Sequence, residues 1–235
     1  MTQRASSIII AVVILLLLIL AVRYGFTVVS IEDAEQAVQS EAFDPVVYVD
    51  GIWESELLPT FNDKAVELSN ILSEMEPDAS GTVSKDVLID VANKYGLITV
   101  GEAHVYMVEG SGNIVGINAE TSLGTANVEI DGYEGPIKTQ LYIGARIPSD
   151  DTSVRDAVGF ITFGDFKEQT EYGKAATEIN KRVLTTVLEG IDWENQVGKT
   201  ISFKGAFTIR TFNLLSIDVK EIRIVPIEIK LEEKL

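Results

Sequence analysis

A long uncharged segment near the start of the chain limits what the rest of the sequence can do. Residues from Ala5 to Val22 carry no charge, and from Ile8 onward they are all aliphatic. A helix needs about 20 apolar residues, and at least about 17, to cross the hydrocarbon core of a bilayer. This run is too long and too uniform for a soluble core helix. The sequence therefore predicts either a cleaved signal peptide or an uncleaved membrane anchor.

The end of the run favours the anchor. A signal peptide has a shorter apolar stretch followed by small residues at the cleavage site, whereas Arg23 and Tyr24 follow this run directly. Arg4 lies on the short N-terminal side, which the positive-inside bias places in the cytoplasm, although Arg23 on the far side weakens that bias. We therefore predict a single-pass anchor in the cell membrane over residues 1–23, with the main domain extracytoplasmic.

The composition excludes several classes of protein. The 235 residues include 36 acidic and 19 basic side chains, for a net charge of −17 at pH 7, with no cysteine and one histidine. Without cysteine there is no disulfide, no thiolate metal site and no acylated lipoprotein cysteine. A phosphate-backbone binder needs clustered lysine and arginine. We therefore expect no nucleic acid among the partners.

Residues 24–96 are predicted to be a linker followed by a helical segment. After Pro45, residues 46–49 are interpreted as a short extended stretch. Apolar residues then recur at helical spacing, which predicts a helix that begins near Asn62. A second helix is predicted to begin after Ser84, a favourable N-cap residue.

Residues 97–235 are predicted to form an antiparallel β domain with one long helix. After Leu97 the hydrophobic period changes from 3.6 to 2, and glycine-containing turn signals such as Gly110-Ser111-Gly112 separate the apolar runs. Asp165 is interpreted as the N-cap residue of the long helix and Gly190 as its end. The predicted strands are 100–108, 114–118, 126–130, 137–143, 200–212 and 217–229.

The order of these elements predicts the fold class. Three strands, a helix and two strands is the order of the OB-fold, a five-stranded Greek-key barrel. We therefore predict an α+β chain with an N-terminal transmembrane helix, a helical segment, and an antiparallel, OB-like β-barrel. The long helix lies between the third and fourth strands of that barrel. A non-barrel α+β domain is the alternative.

A polar cluster between the strands and the long helix is the candidate ligand-binding site. Arg146, Arg155, Asp156 and Asp165 combine guanidinium and carboxylate groups, which suit an anionic or polyhydroxyl ligand because guanidinium offers planar, bidentate donors. Tyr172 adds an aromatic ring on which a sugar can stack. The alternative interpretation is a structural arginine–aspartate pair that fixes the connection to the helix.

The sequence has no motif that indicates catalysis, a metal or a cofactor. Asp150, Asp151 and Asp156 do not match the spacing of an EF-hand loop, and the lone His104 in a strand pattern is typical of a packed residue. No P-loop, G-x-S-x-G or H-E-x-x-H motif is present. We expect no enzyme, although a carboxylate-dependent hydrolase stays open because 36 acidic residues allow many pairs.

Several motifs in the second half of the chain resemble those of a known family. They include Val154-Arg155-Asp156-Ala157, the stretch Ile161 to Phe166, and Gly198-Lys199 followed by Phe203 to Phe207. Over residues 46–228 the chain resembles a bacterial family of predicted periplasmic lipoproteins. That family is a domain of unknown function, often encoded beside ABC-type sugar import genes. The resemblance also implies Asn180 as a ligand-binding position.

The resemblance implies a location and a role in solute import, but no reaction. The chain lacks the lipid-bearing cysteine, so its apolar segment would replace the acyl anchor. We expect a membrane-anchored extracytoplasmic accessory or binding protein that assists ABC-type sugar or solute uptake. Its expected partners are the membrane and a sugar transporter or its binding protein. An envelope hydrolase and an OB-like glycan-binding module are the alternatives.

Overall fold

The computed structural model describes residues 12–17, 20, 23 and 43–232, and the first of these, 12–17, are helical. Among these described residues, no helix is long and apolar enough to cross a membrane. Most of the predicted span over residues 1–23 lies outside them. The chain divides into two compact units, residues 1–43 and 44–235. The predicted span and the predicted boundaries after residues 23 and 96 stay predictions.

The second unit begins with a helix, so the extended stretch predicted for residues 46–49 was wrong. This helix, α1, is Pro45–Ile52. The Asp44 carboxylate accepts hydrogen bonds from the N–H groups of Val46 and Val47 at 2.9 and 3.2 Å. Proline in the first helical turn has the φ angle that the helix needs. Asp44 and Pro45 together are a signal for the start of a helix. The prediction considered Pro45 alone and therefore missed this signal.

Short elements follow α1 in the helical segment. The helix predicted from Asn62 is broken at Ala65, whose backbone is extended, because the next two residues pair in parallel with residues 108 and 109. The helix predicted after Ser84 is confirmed, and the Ser84 hydroxyl accepts the Val87 N–H at 3.4 Å. The elements are a π-helical turn (Trp53–Leu57), α2 (Leu58–Lys64), β1 (Val66–Glu67), α3 (Leu68–Glu74), β2 (Thr82–Ser84) and α4 (Lys85–Tyr95).

Five of the remaining strands hydrogen-bond in a closed ring. The order around it is β4, β5, β6, β9 and β7, and β7 returns to β4. The pair β6–β9 is parallel and the other four pairs are antiparallel. Outside the ring, β3 pairs with β4, and β8 pairs with β2. The strands are β3 (Gly96–Thr99), β4 (Ala103–Asn118), β5 (Thr125–Ile130), β6 (Lys138–Tyr142), β7 (Thr200–Arg210), β8 (Ser216–Asp218) and β9 (Glu221–Glu232).

Strand β4 runs through the glycines that were predicted to form a turn. A Cβ atom at Gly112 would lie 2.0 Å from the carbonyl oxygen of Glu129 on β5, and one at Gly110 would lie 3.3 Å from the ring of Phe203 on β7. Close approach of neighbouring strands therefore requires glycine here. The prediction was wrong because glycine serves both turns and close backbone contacts, and a single sequence does not separate the two uses.

The strand predicted over residues 217–229 is two strands, β8 and β9. Between them the Asp218 carboxylate accepts the Lys220 N–H at 2.9 Å, a local bond that competes with continued strand pairing. As a result β8 leaves the ring and pairs with β2, while β9 enters it.

The long helix lies between the third and fourth ring strands, as predicted. It is α6, Gln169–Val183, and is preceded by the short helix α5, Ser153–Ala157. Its N-cap residue is Glu168, not Asp165. The Asp165 carboxylate instead accepts the Thr162 N–H at 2.8 Å and closes a 3₁₀ turn. A π-helical turn (Leu184–Leu188) follows α6, and Gly190, with φ +82°, ends the helical run as predicted.

One apolar core connects the helices to the strands. On the ring, Tyr106 stacks on Phe207 with 4.8 Å between ring centroids. Between α1 and α6, the Arg182 guanidinium forms an ion pair with Asp50. His104 on β4 is only 1% exposed, which agrees with the prediction of a packed residue. The core therefore holds α5 and α6 against the ring, and pairing with β4 holds β3 beside them.

Candidate functional site

An open cleft of about 720 Å³ lies between strand β3 and the connection from α5 to α6. Ligand-binding clefts of proteins measure about 300–1,000 Å³, so the size suits a ligand or a peptide segment. Apolar side chains form its walls and a polar group of three residues forms its floor. The walls include Leu97, Ile98, Val100, Ile161 and Phe163, and the floor is Arg155, Asp156 and Tyr172.

Arg155 on α5 is the centre of the floor and is 7% exposed. Its Nε and Nη2 atoms donate to Oδ1 of Asp156 at 2.8 and 2.7 Å, and its Nη1 atom donates to the Tyr172 carbonyl oxygen at 3.0 Å. The guanidinium carbon lies 3.5 Å from the centroid of the Tyr172 ring. This contact combines planar stacking with cation–π attraction. Arg155 therefore joins α5 to the first turns of α6.

Three neighbouring side chains hold the Asp156 carboxylate in place. Besides Arg155, its Oδ1 atom accepts the Tyr172 hydroxyl at 3.1 Å, and its Oδ2 atom accepts the Thr152 hydroxyl at 2.6 Å. Burial raises the pKa of Tyr172, and the charge of Asp156 raises it further. Because both carboxylate oxygens of Asp156 already accept hydrogen bonds, the floor acts as a rigid polar support and not as a free base.

Aromatic rings extend the floor toward solvent. The Tyr172 ring lies 5.8 Å from Phe163 and 5.4 Å from Phe166, and Phe166 in turn meets Tyr48 of α1 edge-on at 5.3 Å. Burial raises the pKa of Tyr48, and the charge of Asp165 adds to the effect. Phe163 is 55% exposed. It therefore offers a free ring face at the mouth of the cleft.

The structure brings together three of the six predicted site residues and separates the others. Arg155, Asp156 and Tyr172 form the floor. Asp165 acts next to the cleft, where it fixes Thr162 of the wall. Asn180 is 7% exposed and donates to the Asp151 carbonyl oxygen at 2.8 Å, which is a structural contact.

Arg146 lies apart from the cleft. Its side chain is exposed, and its backbone N–H donates to the Ser122 carbonyl oxygen at 3.0 Å. Within residues 43–232, no hydrogen bond or ion pair joins its guanidinium to the other five predicted residues. The sequence placed Arg146 with the cluster only because it is close along the chain.

The sequence analysis missed the wall formed by β3. Leu97 and Ile98 are 43% and 44% exposed, and Val100 at the following turn is fully exposed. The run from Leu97 to Val100 contains no charged residue. This absence was the one sequence signal that could have indicated the apolar wall. Exposed strand edges usually carry charges that prevent association.

A second, more polar cleft of about 540 Å³ opens where β7 and β9 diverge. Four of its charged side chains form ion pairs with one another: Arg223 with Glu221 at 2.6 Å, and Lys220 with Asp218 at 3.4 Å. Asp151 lines it as well. Burial raises the pKa of Asp151 although Ser153 donates to its carboxylate. In the part of the chain that the structure describes, no group of histidine, aspartate and glutamate is arranged to hold a metal ion.

Similarity to known proteins identifies first the fold of this chain and then its family. The fold is similar to that of an OB-fold protein from Thermotoga maritima, with 20% identity and a TM-score of 0.61 over 82% of this chain and 100% of that one. The chain belongs to the family described as predicted periplasmic lipoprotein (DUF2291), whose model matches residues 12–230. This confirms the family that the motifs resembled. No protein with a curated description matches the chain.

Proposed function

We propose that this protein is a membrane-anchored extracytoplasmic binding protein that assists ABC-type solute uptake and is built on an OB-like barrel. The observation that carries the proposal is the open cleft beside β3, which has apolar walls and a rigid Arg155–Asp156–Tyr172 floor. Membership of a family described as periplasmic supports the location. The occupant of the cleft is a transporter component, its binding protein or a small solute.

The uncharged run near the start of the chain is the proposed attachment to the membrane. The uncharged run from Ala5 to Val22 has the length and hydropathy of a single span. The family description implies a lipid anchor, but this chain has no cysteine to carry one. The apolar run supplies the remaining means of attachment. It would hold residues 44–235 at the outer face of the membrane.

The chemistry of the cleft favours binding over hydrolysis. A carboxylate-dependent glycosidase needs two carboxyl groups that face each other about 5–9.5 Å apart. Among the residues that line the cleft, Asp156 is the one carboxylate, and it is fully engaged by Arg155, Tyr172 and Thr152. The exposed ring of Phe163 suits stacking on a sugar or contact with a protein.

Photo-crosslinking in cells tests this proposal. A photoreactive residue placed at Val100 or Phe163 reports what occupies the cleft, and one at Val115, which is 49% exposed on the distant part of β4, is the matched control. We expect discrete protein adducts from the two cleft positions and none from Val115. A small-solute occupant would instead give no adduct but a thermal shift of the full chain with that sugar.

The proposal fails if neither cleft position gives an adduct and no sugar or oligosaccharide shifts the melting temperature. It also fails if Val115 gives the same adducts as Val100, because the contacts would then be unspecific.

A further inference from the structure

Strand β3 is an open edge. Within residues 43–232 it pairs with no strand other than β4, so on its outer side alternate N–H and C=O groups have no strand partner. It is flanked by a tight turn in which the Glu102 N–H donates to the Thr99 carbonyl oxygen at 3.2 Å. Leu97 and Ile98, which point to opposite faces of the strand, are both exposed. Such an edge is a template for another extended backbone.

The opposite side of the cleft contains a residue with extended backbone. Thr162 has φ −110° and ψ 155°, and the connection before it contains Ile161, which is 3% exposed. A Cβ atom at Gly159 would lie 3.2 Å from the Leu97 side chain, so this connection approaches β3 closely at one end. Beyond Gly159 the two segments separate and leave the cleft between them. The gap is therefore a slot with β3 on one side and residues 159–163 on the other.

A second cavity of about 420 Å³ adjoins the slot at Leu97 and Gly159. Val105, Met107 and Phe160 are among the residues that line it. The apolar side chains of an extended segment laid along β3 would thus meet apolar residues of both cavities. Four residues of β3 offer about 13 Å of edge, at about 3.3 Å per residue.

We propose that the cleft binds an extended segment of a partner protein, which adds to the edge of β3 as a further strand. This proposal rests on the proposed function, because it names the kind of occupant that the cleft receives. Main-chain hydrogen bonds to β3 supply affinity, and apolar side chains at alternate positions supply specificity. The polar floor around Arg155 holds the far wall in place.

Charge selects the partner. The chain carries a net charge of −17. Two exposed acids lie beside the slot: Asp165, which accepts the Thr162 N–H, and Glu168, which precedes Gln169 of the lining. Two copies of this chain repel each other, whereas a segment with lysine or arginine between its apolar residues is attracted. The occupant is therefore an apolar segment with basic residues and not a second copy.

A peptide selection tests the proposal on the full chain held in nanodiscs. The probe is a phage library of random twelve-residue peptides, counter-selected on the variant Ile98→Lys, which places a charge on the edge. We expect enriched peptides in which apolar residues alternate with lysine or arginine. Their Kd should rise about tenfold or more in Ile98→Lys, and Val115→Lys should leave it unchanged.

Backbone chemistry separates strand addition from simple apolar contact. Peptides N-methylated at alternate residues lose the main-chain donors while keeping their side chains. We expect one of the two methylation registers to weaken binding about tenfold, and bound peptide to slow amide hydrogen exchange in residues 97–99.

The proposal is overturned if no peptide survives the counter-selection, or if binding is insensitive to N-methylation in both registers. If adducts still form at Val100 in cells, the proposed function stands and only the extended-segment occupant fails. A dimer of the full chain that Ile98→Lys dissociates would also overturn it, since a second copy would then occupy the edge.

Discussion

At Arg155 a charged group is almost removed from water, and three contacts replace its solvation: the Asp156 carboxylate, the Tyr172 carbonyl oxygen and the Tyr172 ring. The side chains of Arg155 and Asp156 are 8% and 12% exposed. Breaking a buried pair strands the remaining charge, which costs more than the pair itself contributes. The pair therefore both supports the cleft and fixes α5 to α6.

We expect Arg155→Ala to lower the free energy of unfolding by about 3–5 kcal/mol, because Asp156 is left as an unpaired buried charge. Urea denaturation of the full chain measures the loss. Arg146→Ala is the matched control, since its exposed side chain should change stability by no more than about 0.5 kcal/mol. A loss below about 1 kcal/mol for Arg155→Ala would contradict the structural role.

His104 gives the fold a dependence on pH. It is buried on β4, with Nε2 3.4 Å from the Thr211 hydroxyl, and burial lowers its pKa below the usual value of 6.5. The unfolded chain takes up a proton near pH 6.5 while the folded chain resists it. The stability that the neutral ring provides is therefore complete above pH 6.5 and is lost as the pH falls below that value.

We expect the unfolding free energy to fall as the pH drops below about 6.5, and His104→Gln to remove much of that slope because glutamine does not titrate. Denaturant unfolding of both proteins at a series of pH values measures the difference. Equal slopes in the two proteins would contradict a depressed histidine pKa.

At the scale of elements, β4 depends on glycine where neighbouring strands come close. We expect Gly112→Ala to destabilise the fold by about 1–3 kcal/mol, because the new methyl group would overlap the Glu129 backbone. Gly173→Ala in α6 is the control. No heavy atom lies within 4 Å of a Cβ there, and alanine in a helix is favoured over glycine by about 0.5–1 kcal/mol. Thermal unfolding should move in opposite directions for the two variants.

Periodicity predicted the elements whose signals are local. Helix α4, with Ser84 as its cap, and the long helix between β6 and β7 followed from apolar spacing and end signals. Where one residue type serves two purposes the prediction failed. Gly112 was interpreted as part of a turn, and Pro45 was interpreted without considering Asp44 as the N-cap residue of a helix. These choices depend on neighbours that only the folded chain supplies.

The candidate site was half predictable for the same reason. Arg155, Asp156 and Tyr172 are close along the chain and chemically distinctive, so the sequence indicated them together. The apolar wall from Leu97 to Val100 comes from a distant part of the chain, and its position opposite α5 depends on tertiary packing. The absence of charged residues from this run can be seen in the sequence, but its exposure to solvent cannot.

On the scale of the whole molecule, the negative net charge bears on the proposed location at a membrane. The net charge of −17 opposes nonspecific association of the chain with other copies. The 46% hydrophobic content of the chain includes the uncharged run near its start, so the domain itself is more polar than that value suggests. If the proposed anchor holds this acidic domain at a membrane, the domain would meet a partner there.

The central claim, that residues 44–235 are a tethered extracytoplasmic domain, is tested most directly by cysteine labelling, because the natural chain has no cysteine to interfere. Glu189→Cys places a single thiol at an exposed position of the domain, and Thr2→Cys places one before the apolar run. A membrane-impermeant maleimide is applied to intact spheroplasts, and the membranes are then washed with alkaline carbonate. We predict labelling of Glu189→Cys before lysis, labelling of Thr2→Cys only after lysis, and retention of both in the membrane. Labelling of Glu189→Cys only after lysis, or its release by the wash, would contradict the claim.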